Sequence, residues 1–438
     1  MHKQRVIELT LLLLAIAITS ATAAIAALDD QSEIGWIALP YIAGLALLWF
    51  ASHLALRRRM PTANGLLLPV AALLQGLGFA FVLRIDSGAT TKHLIWSAIA
   101  TGAFLSVVIG VRSLKVVRRA GKLLGILGAI AVLLPPIFHT STSYFIPSGF
   151  RIQSVHVDLQ KIGIFCLIIF FADWLASYRS RNTAEHFGEV DRIEGDPSRF
   201  APLIGGWLIA SFLLIFNFDT GSAFIVCSVF LAMWWVAVGR AVDLLGYLIA
   251  VALSTLVAVT TVPEMHTRFQ TWLNPGANPE WGDSITRSSF ALAGGGLTGT
   301  GPGGGSGNWV PDAVDNLIFV PLAEELGFIG GTAILSTFVL LLGVGFRLAN
   351  GASNEFDSIV TIGMTIFLAS QTWSSIAVAL QLLPPAGHSL PFISLNGAAL
   401  VVGYTGLALL LKISEGIPFV PDKTQLLPQI RLSNRSPS

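Results

Sequence analysis

The sequence predicts an all-α polytopic membrane protein with about 12 transmembrane helices. Three observations carry this. Hydrophobic residues make up 53% of the 438 positions and charged residues only 12%, against roughly a quarter charged in soluble domains. Mean hydropathy is +0.72, so a water-soluble fold would expose more apolar surface than such folds tolerate. Finally, apolar runs long enough to cross a hydrocarbon core, about 20 residues, recur along the whole chain.

In order, the runs are 6–28, 34–56, 65–83, 93–111, 122–138, 156–177, 200–218, 222–239, 243–262, 317–346, 356–383 and 395–413. The first follows Lys3 and Arg5 and is too long for the apolar region of a cleavable signal. The sixth carries Asp158 and Lys161 in its first turns. Cys166 and Cys227 lie inside apolar runs with no metal-ligand spacing and read as small buried hydrophobes.

The net charge of +1 says little; the placement of charge says more. With the N-terminus in the cytoplasm, inner segments collect Lys3, Arg5, Arg57 to Arg59, Arg112 to Lys122, Arg179 to Arg199, Arg240, Arg347 and Lys412 onward. Outer segments collect only Arg84, Lys92, Arg151, Lys161, Arg268 and Arg287. Positive residues favour the cytoplasmic side, so the bias supports an even helix count with both termini inside. The chain divides into about five N-terminal helices (1–144), a core (145–413) with a large outer loop (263–316), and a tail (414–438). The segment 178–199 reads as a solvated inner linker. The tail reads as disordered.

Ionisable residues within spans or at their outer mouths are costly and are functional candidates by default. Four groups qualify. Arg151, Asp158 and Lys161 form the first; the last two are three apart, on one helix face. Asp219 lies at the outer end of a span and reads as a site residue or a helix cap. The third group is the outer loop. Its glycine-dense run from Ala293 to Gly305 suits close approach of backbone N–H groups to a phosphate, but lacks the Lys-Ser/Thr of a nucleotide P-loop. Asp312, Asp315, Glu324 and Glu325 follow, and adjacent glutamates in an apolar helix need partners or a proton. The fourth group, Leu382 to Ser394, holds three prolines that break the helix. Broken backbone at membrane depth is tolerated only against protein or a wet cavity. His388 within it is by itself a weak signal. All four groups fall on the outer side, consistent with chemistry on a lipid-linked substrate.

These segments resemble, in order, the hallmarks of the RodA/FtsW/SpoVE (SEDS) family of peptidoglycan glycosyltransferases. Asp219 and Gly221 are similar to the family's QPDLGT. Gly149 to Lys161 is similar to GxRW…FQPSEFAK, with Arg151 and Lys161 kept and Asp158 for the glutamate. Arg268, Trp272, Ser288 and the glycine run match the family's loop. Glu324 to Gly330 matches EELG-x-x-G intact, and Gln381 to Gly397 is similar to GLLPTKGLTLPFISYGG, with Pro391 and Ser394 kept. The resemblance covers roughly 145–413, and two extra N-terminal spans point to actinobacterial RodA-like members.

The resemblance implies polymerisation of lipid II into glycan strands, with undecaprenyl pyrophosphate as leaving group. It also implies a class B penicillin-binding protein transpeptidase as partner. The membrane is the setting, nucleic acid is not a partner, and Mg or Mn is the candidate cofactor. By this resemblance Arg151, Asp158, Lys161, Asp219, Arg268, Ser288, Glu324, Glu325, Pro391 and Ser394 bind substrate. The family's proposed catalytic aspartate, in PEAHTDFIF, falls on Asn316, and Asp315 is the neighbouring carboxylate. An amide cannot act as a general base, so the expectation is that Asp315 does. Two other readings stand beside this one: a flippase for lipid-linked precursors and a catalytically silent scaffold.

Overall fold

A computed structural model of the chain describes residues 2–29, 34–138, 150–152, 155–186, 201–216, 219–239, 241–415 and 417. The helices are α1 (His2–Asp29), α2 (Ile34–Arg59), α3 (Leu67–Ile85), α4 (Thr90–Gly110), α5 (Leu114–Arg119), α6 (Gly121–Phe138), α7 (Leu159–His186), α8 (Ala201–Phe216), α9 (Thr220–Val238) and α10 (Ala241–Thr261). They continue with α11 (Pro263–Leu273), α12 (Pro279–Gly295), α13 (Phe319–Gly351), α14 (Glu355–Ala379) and α15 (Gly397–Ser414). A short hairpin, β1 (Phe150–Ile152) and β2 (Val155–Val157), pairs antiparallel with Arg151 opposite His156. It is a small departure from the all-α expectation.

Each of the twelve apolar runs lies on a helix, as expected where no water is present to satisfy backbone groups. Among the described residues, ten helices are long and apolar enough to span. Of the remaining two runs, α6 has a shorter apolar stretch, Gly121–Leu133, and α8 has 16 residues. The expected count of twelve is therefore ten clear spans and two shorter helices. The segment read as an inner linker is partly helical, because α7 runs on to His186; 187–200 and the tail beyond 417 lie outside the described residues.

The bundle is centred on α14 and α15, with 83% of each apolar window enclosed by protein, whereas α10 has only 11% enclosed. α15 packs on α4 and α7, and α14 on α7, α9 and α13. The two N-terminal helices pack on α3 and α4. They are clamped by a buried ionic group in which Glu8 joins Arg5 and accepts from His53 Nδ1 at 2.8 Å. At the same end, Asn64 N–H donates to Ser414 Oγ at 2.9 Å. At the opposite end, Arg84 closing α3 pairs with Glu325 near the start of α13. The ends thus group as the alternation of inner and outer segments requires.

Candidate functional site

Three segments far apart in sequence converge at one end of the bundle, the end that charge placement reads as outer. Asp158 immediately precedes α7, and its Oδ2 lies 2.9 Å from Lys161 Nζ. Both residues are only 3% exposed. Lys161 Nζ also donates to Ser389 Oγ at 2.8 Å, tying α7 to the broken segment between α14 and α15. Asp219 caps α9, its Oδ1 accepting from Ser222 N–H at 2.9 Å. Ser222 Oγ in turn donates to Gln160 Oε1 at 3.2 Å. His388 lies in the electrostatic field of Asp219, Lys161 and Asp158. Gly221 makes room for it, since a Cβ there would collide with the imidazole.

The two glutamates of α13 have a different set of partners. Gly327 interrupts α13 at φ +69°, a left-handed value that favours glycine. The glycine run packs against this break and bridges it. Thr300 N–H donates to Glu324 O at 3.0 Å and Gly301 N–H to Glu325 O at 3.1 Å. Phe328 N–H donates to Gly296 O at 3.0 Å and Ile329 N–H to Leu297 O at 3.2 Å. Backbone groups freed by a kink need such partners. Gly299, at φ +82°, sits where a Cβ would strike the Glu325 carbonyl. The carboxylates fasten the same loop: Gly303 N–H donates to Glu325 Oε2 and Ser306 N–H to Glu324 Oε1, each at 2.9 Å. Arg84 donates to the carbonyls of Gly303 and Gly305 at 2.6 Å. The N–H groups of Gly303 and Ser306 therefore hold carboxylates of this chain, where the sequence suggested a phosphate cradle. One oxygen of each glutamate is thus bound by the loop, and Glu325 also has Arg84 as a counter-charge, as burial of a carboxylate demands.

Asp315 and Asn316 lie in a run of turns, 311–318, ahead of α13. Asn316 is buried at 5% exposure and Asp315 is half-buried. The N-cap of α13 is Ile318, with no side-chain cap bond, so Asp315 does not cap this helix. Asp312 turns the chain at φ +57°, and its carbonyl accepts from the N–H groups of Asp315 and Leu317, both at 3.1 Å. Desolvation raises the Asp312 carboxyl, although the residue still presents surface to solvent, which limits the effect. Leu395 N–H donates to Val314 O at 3.0 Å, tying this turn to the broken segment.

The outer loop is more structured than its glycine content suggested, because α11 and α12 occupy much of it. Arg268 lies half-buried on α11, and Trp272 Nε1–H donates to Gln381 O at 2.8 Å. Ser288, buried on α12, donates to Ser284 O at 2.7 Å. Pro391 is buried, and Ser394 Oγ accepts from Leu390 N–H at 2.8 Å. Arg151 holds its place in the hairpin register; its side chain lies outside the described residues. Among the described residues no group of three or more His, Cys, Asp or Glu side chains could hold a metal ion. Sequence reasoning missed Arg84, Gln160, Ser222 and Ser389 and gave His388 little weight. Arg84 carried a signal, as one of few cations on the outer side; the others become meaningful only through contacts distant in sequence.

Comparison with known proteins fits this arrangement. The FtsW/RodA/SpoVE family model, described as "Cell cycle protein", matches residues 66–417. The match is wider than the motif-bearing 145–413 and leaves α1 and α2 outside it. The chain is 30% identical to the peptidoglycan glycosyltransferase RodA of Mycobacterium tuberculosis (strain ATCC 25618 / H37Rv) over 427 residues, 93% of this chain and 90% of that protein. It is 33% identical to the stage V sporulation protein E of Bacillus subtilis (strain 168) over 293 residues, 65% of this chain and 75% of that one. In fold it is similar to a chain of a solved peptidoglycan synthase complex (TM-score 0.64, 20% identity, 81% of this chain and 98% of that one). It is also similar to the rod shape determining protein RodA of Thermus thermophilus (TM-score 0.57, 19% identity, 82% of this chain and 98% of that one). The motifs and the match over most of the chain agree: this multi-pass membrane protein belongs to the FtsW/RodA/SpoVE family.

Proposed function

We propose that the protein polymerises lipid II into glycan strands at the outer face of the cytoplasmic membrane, with both termini in the cytoplasm. The observation that carries this reading is the buried Asp158–Lys161–Ser389 cluster beside Asp219 and His388, in a chain of this family. Buried charge in a membrane bundle is costly unless it serves a substrate or a structural pairing.

In this reading the 4-hydroxyl of the acceptor GlcNAc attacks C1 of the donor MurNAc. The bond from C1 to the pyrophosphate oxygen breaks, and undecaprenyl pyrophosphate leaves with the bonding pair. The hydroxyl proton passes to Asp315, the half-buried carboxylate next to the family's position, acting as general base. Lys161, Arg151 and Arg268 supply positive charge for the leaving group, and Asp158 and Asp219 orient that pocket. Glu324 and Glu325 act through the glycine run they fasten, while Ser288, Pro391 and Ser394 shape the surrounding wall. The described residues do not form a metal site on their own, and no step here runs through Mg or Mn. A class B penicillin-binding protein transpeptidase is the partner we propose, in line with the synthase complex that shares the fold.

A second reading, transport of the lipid-linked precursor across the membrane, is favoured by one observation. The family's aspartate position is Asn316, a buried amide that takes no proton at neutral pH. Purified protein in liposomes with labelled lipid II separates the two. Glycan strands on a gel support the polymerase, and scrambling of lipid II without strands replaces it with the transporter. The absence of both leaves only a scaffold.

A further inference from the structure

At the end of the bundle that charge placement reads as inner, α4 stops at Gly110, α5 occupies Leu114–Arg119 and α6 begins at Gly121. This elbow carries Arg112, Lys115, Arg118, Arg119 and Lys122, all exposed. Arg118 is engaged. It donates to Asp173 Oδ1 at 2.7 Å and to Ser177 Oγ at 3.0 Å, and it lies over the Phe356 ring, which pins the elbow to α7 and α14. Among the described residues the other four side chains have no ion pair. The last turn of α2 adds Arg57, Arg58 and Arg59, exposed and likewise unpaired. The two groups share one corner. α2 packs along α4, and Thr62, just past α2, lines a cleft of about 490 Å³ together with Leu114 of α5.

The positive-inside rule accounts for the side on which these cations lie, but not for their lack of partners. Elsewhere at this end cations are matched: Arg5 with Glu8, Arg179 with Glu355 and Lys412 with Glu415. Asp357, within the cleft, accepts from Asn354 Nδ2 at 2.6 Å and also feels Arg118. In sequence, the only carboxylate between Met60 and Val157 is Asp86, which caps the turn at the opposite end of α3. The corner therefore presents a strong positive field with no carboxylate of its own to fill it.

The apolar surface beside the cations says which anion fits. Val116, inside α5, is 59% exposed. On α6, Leu123, Ile126, Leu127 and Ile130 are all exposed, at the spacing of a single helix face. The other side of α6 packs on α7, where Gly125 meets Phe170. The apolar face begins one residue past Lys122, so the cations stand where the headgroup of a lipid packed on α6 must lie. A soluble polyanion would use the cations alone, whereas a phospholipid uses both surfaces.

We infer that this elbow is a binding site for an anionic phospholipid of the inner leaflet. Arg112, Lys115, Arg119 and Lys122 hold the phosphate, Arg57 to Arg59 extend the field across the corner, and the acyl chains lie along α6. The site is independent of the reaction performed in the outer pocket.

Native mass spectrometry of the purified full-length protein, titrated in detergent with dioleoylphosphatidylglycerol or dioleoylphosphatidylcholine, tests this. The two lipids share their chains and differ in head charge. Wild type should bind the anionic lipid at least about tenfold more tightly, and raising the ammonium acetate concentration should shrink that preference. Each cation near an anionic head is worth roughly fivefold, so the double variant Lys115→Gln, Arg119→Gln should lose about 25-fold in affinity for phosphatidylglycerol and none for phosphatidylcholine. Val116→Glu keeps every cation, and so the insertion signal, yet should weaken phosphatidylglycerol binding by repulsion. Arg119→Lys, which keeps the charge, should retain the preference. Unchanged phosphatidylcholine binding and thermal melting verify that each variant is folded. Equal binding of the two lipids by wild type, or a preference that survives in both the double variant and Val116→Glu, overturns the inference.

Discussion

Removing one partner of the Asp158–Lys161 pair should cost far more than removing both. The two side chains are 3% exposed and 2.9 Å apart, so neither charge has water to fall back on. Breaking a buried pair from one side typically costs about 3–5 kcal/mol, because the remaining charge is left uncompensated, whereas apolar replacement of both partners is often close to neutral. Asp158→Leu leaves Lys161 with Ser389 as its remaining bonded partner. Lys161→Met leaves Asp158 as an unneutralised buried carboxylate near His388. Each single change should lower the midpoint of thermal unfolding in detergent and reduce the yield of monodisperse protein. The double change should recover most of the loss, which puts the coupling at about 5 kcal/mol or more, above the usual range for contacting residues. Fluorescence-detected size exclusion after a heating series measures all four proteins side by side. Single losses that simply add in the double variant, to within about 0.5 kcal/mol, would mean that the residues act independently and that the pairing contributes nothing to the fold. None of the three variants should retain polymerisation, since Lys161 is placed in the pyrophosphate pocket.

Two other predictions follow from geometry. Gly327→Ala should destabilise the protein by more than the roughly 1 kcal/mol of an ordinary glycine replacement, because φ is +69° and a Cβ would strike the backbone of Thr298 and Gly299; Gly294→Ala, with open space around it, is the matched control for the melting experiment. Asp283→Cys, on half-exposed α12 where Asp283 pairs with Arg287 at 2.8 Å, should react with a membrane-impermeant thiol reagent in intact cells. Labelling only after permeabilisation would reverse the orientation.

The helices were legible because hydrocarbon leaves the backbone no alternative, and every long apolar run became one. The clustering of outer-side ionisable residues was legible from charge placement together with the breaks at Pro384, Pro385 and Pro391. What escaped was contact at long range. Lys161 meets Ser389 across 228 positions, and nothing local to either residue announces it. The glycine run was open to two readings because N–H groups that suit a phosphate also suit a carboxylate; only the placement of Glu324 and Glu325 beneath Gly303 and Ser306 decides which anion they hold. α11 and α12 were hidden for a related reason. They pack on α10 and α13, contacts that local sequence does not announce, and their composition, rich in Gly, Pro and Asn at the joins, reads as a loop.

The central claim is that the outer polar pocket performs glycosyl transfer, with Asp315 accepting the proton that the family's aspartate, here Asn316, cannot. The measurement that reaches it most directly is the rate of lipid II polymerisation by purified protein, compared between wild type and Asp315→Asn. Asp315 does not cap α13, the amide keeps the shape of the side chain, and thermal melting of the variant checks that it is folded before rates are compared. Loss of a general base typically lowers the rate by about 10²–10⁴-fold, and that is the predicted fall in strand formation. Strand formation by Asp315→Asn at the wild-type rate would contradict the account.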